Sequence, residues 1–121
     1  MAYINDEVFD QGLDYADTNG TRIDICSSEP ANYAAVAGVS LGNKAGLNTG
    51  ATENGASSGR RVIVPAITDG SVTGTGTATH WALTDATAIL VATGALSSSQ
   101  AVTSGNTFTL DAISIGIADA A

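Results

Sequence analysis

The chain has 121 residues, with four lysines and arginines against twelve aspartates and glutamates, a formal net charge of −8. That balance argues against direct nucleic-acid binding, which needs clustered cations to displace the counterions around phosphate. Hydrophobic residues make up 44% but aromatics only 5%, so a core must be assembled from Ile, Val, Leu and Ala; at this length a chain buries roughly two-thirds of its unfolded surface.

Cys26 is the sole cysteine, so no intrachain disulfide forms, and its setting between Ile25 and small polar residues marks it as a small buried hydrophobe. Charged residues are 13%, about half the usual ~25%. Thr, Ser, Asn and Gly must therefore cover the surface, which suits a chain partly covered by other subunits. There is no apolar run of the ~20 residues a spanning helix needs and no basic-plus-apolar leader. Synthesis and folding in a cytoplasm, with no membrane partner, are the expectation.

Taken in order, Asn5-Asp6-Glu7 reads as a helix start. Asn5 is a capping residue, and the two acids complement the positive end of the helix dipole. Val8, Phe9, Leu13 and Ala16 share one face, which predicts a helix over about Asp6 to Tyr15, ended by a turn at Thr18-Asn19-Gly20. Thr21 to Cys26 alternates as a strand with Ile23 and Ile25 on one face. Ser28 is a candidate cap for a short helix from Pro30 to Ala35, followed by an extended Val36 to Leu41. The segment 42–59 is rich in Gly, Asn, Ala, Thr and Ser and is too long for an ordinary connector. It reads as a functional loop or an arm ordered by a neighbour. Arg61 to Ala66 is a strand, with Pro65 at its end.

Ile67 to Leu96 holds the chain's only Trp and only His. A turn at Thr68-Asp69-Gly70, alternating Thr and small residues from 73 to 79, a break at Thr84-Asp85-Ala86 and an apolar run to Ala92 spell a β-meander. Ser97-Ser98-Ser99 reads as a further turn, and Ser104-Gly105-Asn106 as a hairpin. In the last stretch, Phe108 and Leu110 are out of phase with Ile113, Ile115 and Ile117. Either a bulge near Asp111-Ala112 resets the register or both faces are covered. The expected fold is mainly β: an antiparallel sandwich or jelly-roll-like domain, single over 1–121, with one or two short helices near the N-terminus. Its expected core residues are Trp81, Leu83, Phe108, Leu110, Ile23 and Ile25.

Catalytic and cofactor motifs fail one by one. Gly38 to Lys44 departs from a phosphate loop, with Asn43 before the lysine and Ala45 after it; Gly74-Thr75-Gly76 lacks the third glycine of a dinucleotide loop. The acids Asp6, Glu7, Asp10, Asp14 and Asp17 do not fit the calcium-loop spacing and read as a solvated helix face. His80 lacks a nucleophile-elbow partner, and one His with one Cys is too few for zinc. In a strand, His80 and Trp81 point to opposite faces. Trp81 is placed inside, leaving His80 as a surface or interface residue. No catalytic, cofactor-binding or metal residue is assigned.

With those residues read, the chain resembles a family of small structural proteins of tailed bacteriophages and prophages. The likeness runs through MAYINDEVFDQGLDYADTNGTRIDICSSEP, LGNK, GRRVIVPAITDGSVTGTGTATHWALTD and VATGALSSSQAVTSGNTFTLDAISIGI. Its most specific parts are Thr79-His80-Trp81-Ala82-Leu83 and Ser98 to Leu110. The resemblance implies a non-enzymatic virion component, foremost a capsid decoration (cement) protein; the alternative is a tail or fibre component contacting the host surface. Its implied partners are the major capsid protein and neighbouring copies, with a trimer as the first expectation. The expected interaction elements are the N-terminal segment 1–20 and loop 42–59, and the candidate interface residues are Arg60, Arg61, Lys44, Phe9 and His80.

Overall fold

The computed structural model describes residues 5–47, 49, 51–55 and 59–117, without the side chains of Asp6 and Phe9. Eleven elements follow in order among them: α1 (Asp6–Asn19), β1 (Arg22–Cys26), α2 (Tyr33–Val39), β2 (Ser40–Ala45), β3 (Glu53–Asn54), β4 (Arg60–Val64), β5 (Ile67–Val72), β6 (Gly76–Thr84), β7 (Leu90–Val102), β8 (Thr107–Leu110) and β9 (Ile113–Ile117). The fold is mainly β with two helices, as the alternation predicts. Every strand pairing is antiparallel. A six-stranded sheet runs β7-β6-β1-β2-β5-β8, and a three-stranded sheet runs β3-β4-β9.

The larger sheet is curled, and its hollow is filled by Ile23, Ile25, Ile67, Val72, Ala78, Trp81, Leu83, Val102, Phe108 and Leu110. Val64 of β4 joins that cluster, with Ile113 and Ile115 of β9 against it, so the smaller sheet closes over the larger in a sandwich-like arrangement. All six expected core residues lie in this one cluster. The partnering follows from register: Ile25 lies opposite Trp81 and Ile23 opposite Leu83, which puts the four side chains on one face.

The opposite face of β1 and β6 is covered as well. Cys26 and Ala82 pack beneath Val36 of α2, so four of the five β1 residues are buried. Asp24 is among them, at 1% exposure. It accepts from Arg22 Nε (2.9 Å) and Nη2 (3.1 Å) and from Ser40 Oγ (2.7 Å). A buried carboxylate persists only when its charge is matched and its oxygens are filled; in turn Asp24, first through this hydrogen bond, raises the Arg22 pKa.

The structure corrects several readings. Helix α1 starts where expected, with Asn5 Oδ1 accepting from Glu7 N at 2.9 Å, but runs on through the predicted turn to Asn19, where Gly20 N closes onto Ala16 O. The cap of α2 is Asn32, whose Oδ1 accepts from Ala35 N at 2.9 Å, so the helix begins after Pro30 and takes Val36 to Val39, against the expected extended run. The segment 42–59 is not one loop. Gly42 to Ala45 lies in β2, and Glu53–Asn54 forms a hairpin with Arg60 and Arg61 of β4. Thr49, 3% exposed, is tied to α1 by its hydroxyl bond to Asp17 Oδ1.

The meander is only half right. β6 and β7 form a hairpin, but β5 pairs with β2 and β8 instead of β6. Thr68-Asp69-Gly70 is a register shift inside β5, not a turn. Gly70 is there because the Phe108 ring lies directly on its Cα, where a side chain would collide. Ser97-Ser98-Ser99 is likewise absorbed into β7: His80 pairs with Ala95 and Ala78 with Gln100. Four β7 residues therefore stand opposite Thr79 alone, a bulge larger than the usual two-against-one. The phase change near Asp111-Ala112 is real, and its cause is a change of sheet from β8 to β9.

Candidate functional site: the outer face of α1 and the β9 edge

The expected interface residues Lys44, Arg60 and Arg61 carry three of the chain's four lysine and arginine charges. Each is engaged by an acid of its own chain. Arg60 Nε bonds Asp10 Oδ1 at 2.8 Å and its Nη1 bonds Asn54 Oδ1 at 2.8 Å. Lys44 Nζ meets Asp69 Oδ2 at 2.9 Å. Arg61 Nε lies 3.8 Å from Glu53 Oε1, beyond hydrogen-bond length, and is shielded from water. His80 Nε2 stands 3.8 Å from Glu29 Oε2, with Thr79 Oγ1 2.9 Å from its Nδ1. These residues sit apart on β2, β4 and β6, and the fold does not gather them into one patch. Arg60 serves a structural tie between β4 and α1. The Phe9 side chain lies outside the described residues.

What the fold does leave uncovered is apolar. Leu13 and Ala16 of α1 pack on Val62 of β4, with Ile115 of β9 alongside. On the adjoining face of the helix, Val8 is 62% exposed and Tyr15 47%. With Gly12 between them at the i+4 position, they form one ridge at helical spacing. Gly12 points at Ile117 Cδ1, and Ile117, on the edge strand β9, is itself 38% exposed. Val8, Tyr15 and Ile117 thus lie exposed around Gly12, beside β9, which among the described residues pairs only with β4. Single exposed apolar side chains are ordinary, but several grouped beside a strand edge mark contact surfaces. The sequence reading placed Val8 with the core-facing residues and so missed this ridge; its i, i+4, i+7 spacing with Gly12 and Tyr15 was the signal that could have found it.

A concave feature lies between β7 and the β8–β9 connection. It is a cleft of about 470 Å³, with Trp81 and Gly94 at its floor and Ser98, Gln100, Asp111 and Ser114 on its walls. Cys26 is not available as a nucleophile: burial, then Asp24, push its thiol up to about 11. Among the described residues no group of three or more His, Cys, Asp or Glu is placed to hold a metal ion, and no helix is long and apolar enough to cross a membrane. Comparison with known protein families, curated proteins and solved structures finds no match.

Proposed function

We propose that this chain is a non-enzymatic virion structural protein that binds and stabilises the shell of a tailed bacteriophage, as a decoration or cement protein. The observation that carries the reading is the exposed apolar ridge Val8–Tyr15 with Ile117 at the β9 edge. Its support from sequence is the resemblance running through most of the chain. Binding energy in such a protein comes from burying apolar surface against the major capsid protein and against neighbouring copies. The N-terminal segment keeps its proposed role, through the outer face of α1. The proposed contact no longer runs through Arg60, Arg61 and Lys44, whose charges are matched within the chain. Residues 51–55 brace β4 through β3.

Gold-labelled antibody against this protein, applied to purified virions and imaged by electron microscopy, tests the reading. Label distributed over the head is the expected result. Label confined to the tail tip would replace this reading with the host-contacting one.

A further inference from the structure

Trp81 is 8% exposed, and its indole N–H is a donor with no acceptor role. Buried tryptophans ordinarily give that hydrogen to a partner. Among the described residues Trp81 Nε1 has no hydrogen-bond partner, yet unlike the sealed Arg61 Nε it keeps contact with solvent. The reason lies across the strand pair. Trp81 stands opposite Gly94 of β7, and a Cβ at that position would lie 2.8 Å from Nε1, Cε2 and Cζ2 of the ring. Any side chain on residue 94 would cover this edge, and glycine leaves it open. Trp81 and Gly94 together line the cleft of about 470 Å³, a volume within the range of small-ligand pockets.

We propose that this cleft is a binding site for a neutral sugar, one of whose hydroxyls accepts from Trp81 Nε1. The lining sets the chemical class. Asp111 is the charged residue on the wall, and among the described residues no lysine, arginine or histidine joins it. A phosphate or carboxylate would find no cation there, and would meet Asp111 and a chain of net charge −8. An amine would pair with Asp111 but leave the Trp81 hydrogen without an acceptor, and a hydrocarbon would leave both groups unfilled. A hydroxyl both donates and accepts, so the hydroxyls of one sugar ring satisfy the two groups together. Gln100 gives one amide hydrogen to Thr109 O at 3.0 Å, which fixes that side chain and leaves its second N–H and its carbonyl for a further hydroxyl. Leu96 and Ile113, partly buried against the core, offer apolar surface to the C–H groups of the ring. The Trp81 ring is itself part of the core, so recognition runs through the hydrogen at its edge and not through stacking on its face. The cleft shares no residue with the surface of α1 and Ile117, so this site and the shell-binding role stand or fall separately.

Trp81 is the chain's only tryptophan, so an NMR spectrum of the isotope-labelled protein carries a single indole N–H signal that reads the site directly. Glucose, galactose, mannose, N-acetylglucosamine and N-acetylgalactosamine are titrated one at a time, beside inorganic phosphate and putrescine as the anion and the amine. The expected result is a saturable shift of the indole signal with at least one sugar and none with phosphate or putrescine. Asp111→Ala, at an exposed position, weakens that sugar about tenfold. Gly94→Ala, which covers Nε1, abolishes its binding. No saturable shift with any of these sugars, an equal shift with phosphate or putrescine, or undiminished affinity in Asp111→Ala or in a folded Gly94→Ala protein would overturn the proposal.

Discussion

At the scale of single residues, Asp85 shows how much one side chain organises. Its Oδ1 accepts from the backbone N–H groups of Thr87 (2.8 Å), Ala88 (2.8 Å) and Ile89 (2.9 Å), and so holds the β6–β7 turn, in which Ala86 adopts φ 66°. These bonds, the one from Ile89 foremost, lower the Asp85 pKa below 3.8. A depressed folded pKa stabilises the protein above the unfolded value, and that stability is lost as pH falls through the folded one. Asp85→Ala should therefore lower the melting midpoint at neutral pH, and the gap to wild type should close as pH falls below 3.8; calorimetry across that range reads it out. Asp24→Ala should cost more, about 2–3 kcal/mol in denaturant titration, because it strands the Arg22 guanidinium and the Ser40 hydroxyl around a lost buried charge. Gly70→Ala should cost about 1–3 kcal/mol by the same measurement, since the Phe108 ring must leave its place.

At the scale of elements, Arg60 and Asp10 join β4 to α1. Both side chains are about one-fifth exposed, so their pair is only partly screened by water. Arg60→Met should cost about 1–2 kcal/mol and speed proteolysis within α1, compared by limited digestion. This scale also shows what could be read beforehand. Local chemistry was legible: Asn5 as a cap, Pro65 as a strand end, Ile23 and Ile25 sharing a face with Trp81 and Leu83. Pairing partners were not. Nothing in Ile67 to Val72 says that it joins β2 and β8 and not the adjacent β6, because the choice is made by contacts distant in sequence. The Thr68-Asp69-Gly70 and Ser97-Ser98-Ser99 turn signals became a register shift and a bulge for the same reason: small polar residues suit any break in a ladder, and tertiary pairing decides which one. The charged candidates failed because an arginine in a sequence does not show which acid it will find.

At the scale of the whole molecule, the three-stranded sheet covers one face of β1 and β6 and α2 the other, and the fold leaves two kinds of unfilled surface. One is the apolar ridge of Val8 and Tyr15 with Ile117; the other is the cleft between β7 and the β8–β9 connection. A chain whose cations are matched internally, with exposed Val8, Tyr15 and Ile117 around one helix face, is suited to contact through apolar surface. The proposed role as a shell-binding virion protein rests on the ridge, and replacing Val8 and Tyr15 by Ser should cost folding stability no more than about 1 kcal/mol, since Val8 is 62% and Tyr15 47% exposed. The most direct measurement is heat release of DNA from purified phage particles lacking this protein. The account predicts release at a lower temperature than from complete particles, restored by adding the wild-type protein but not the Val8→Ser, Tyr15→Ser variant. Equal release temperatures with and without the protein would contradict it.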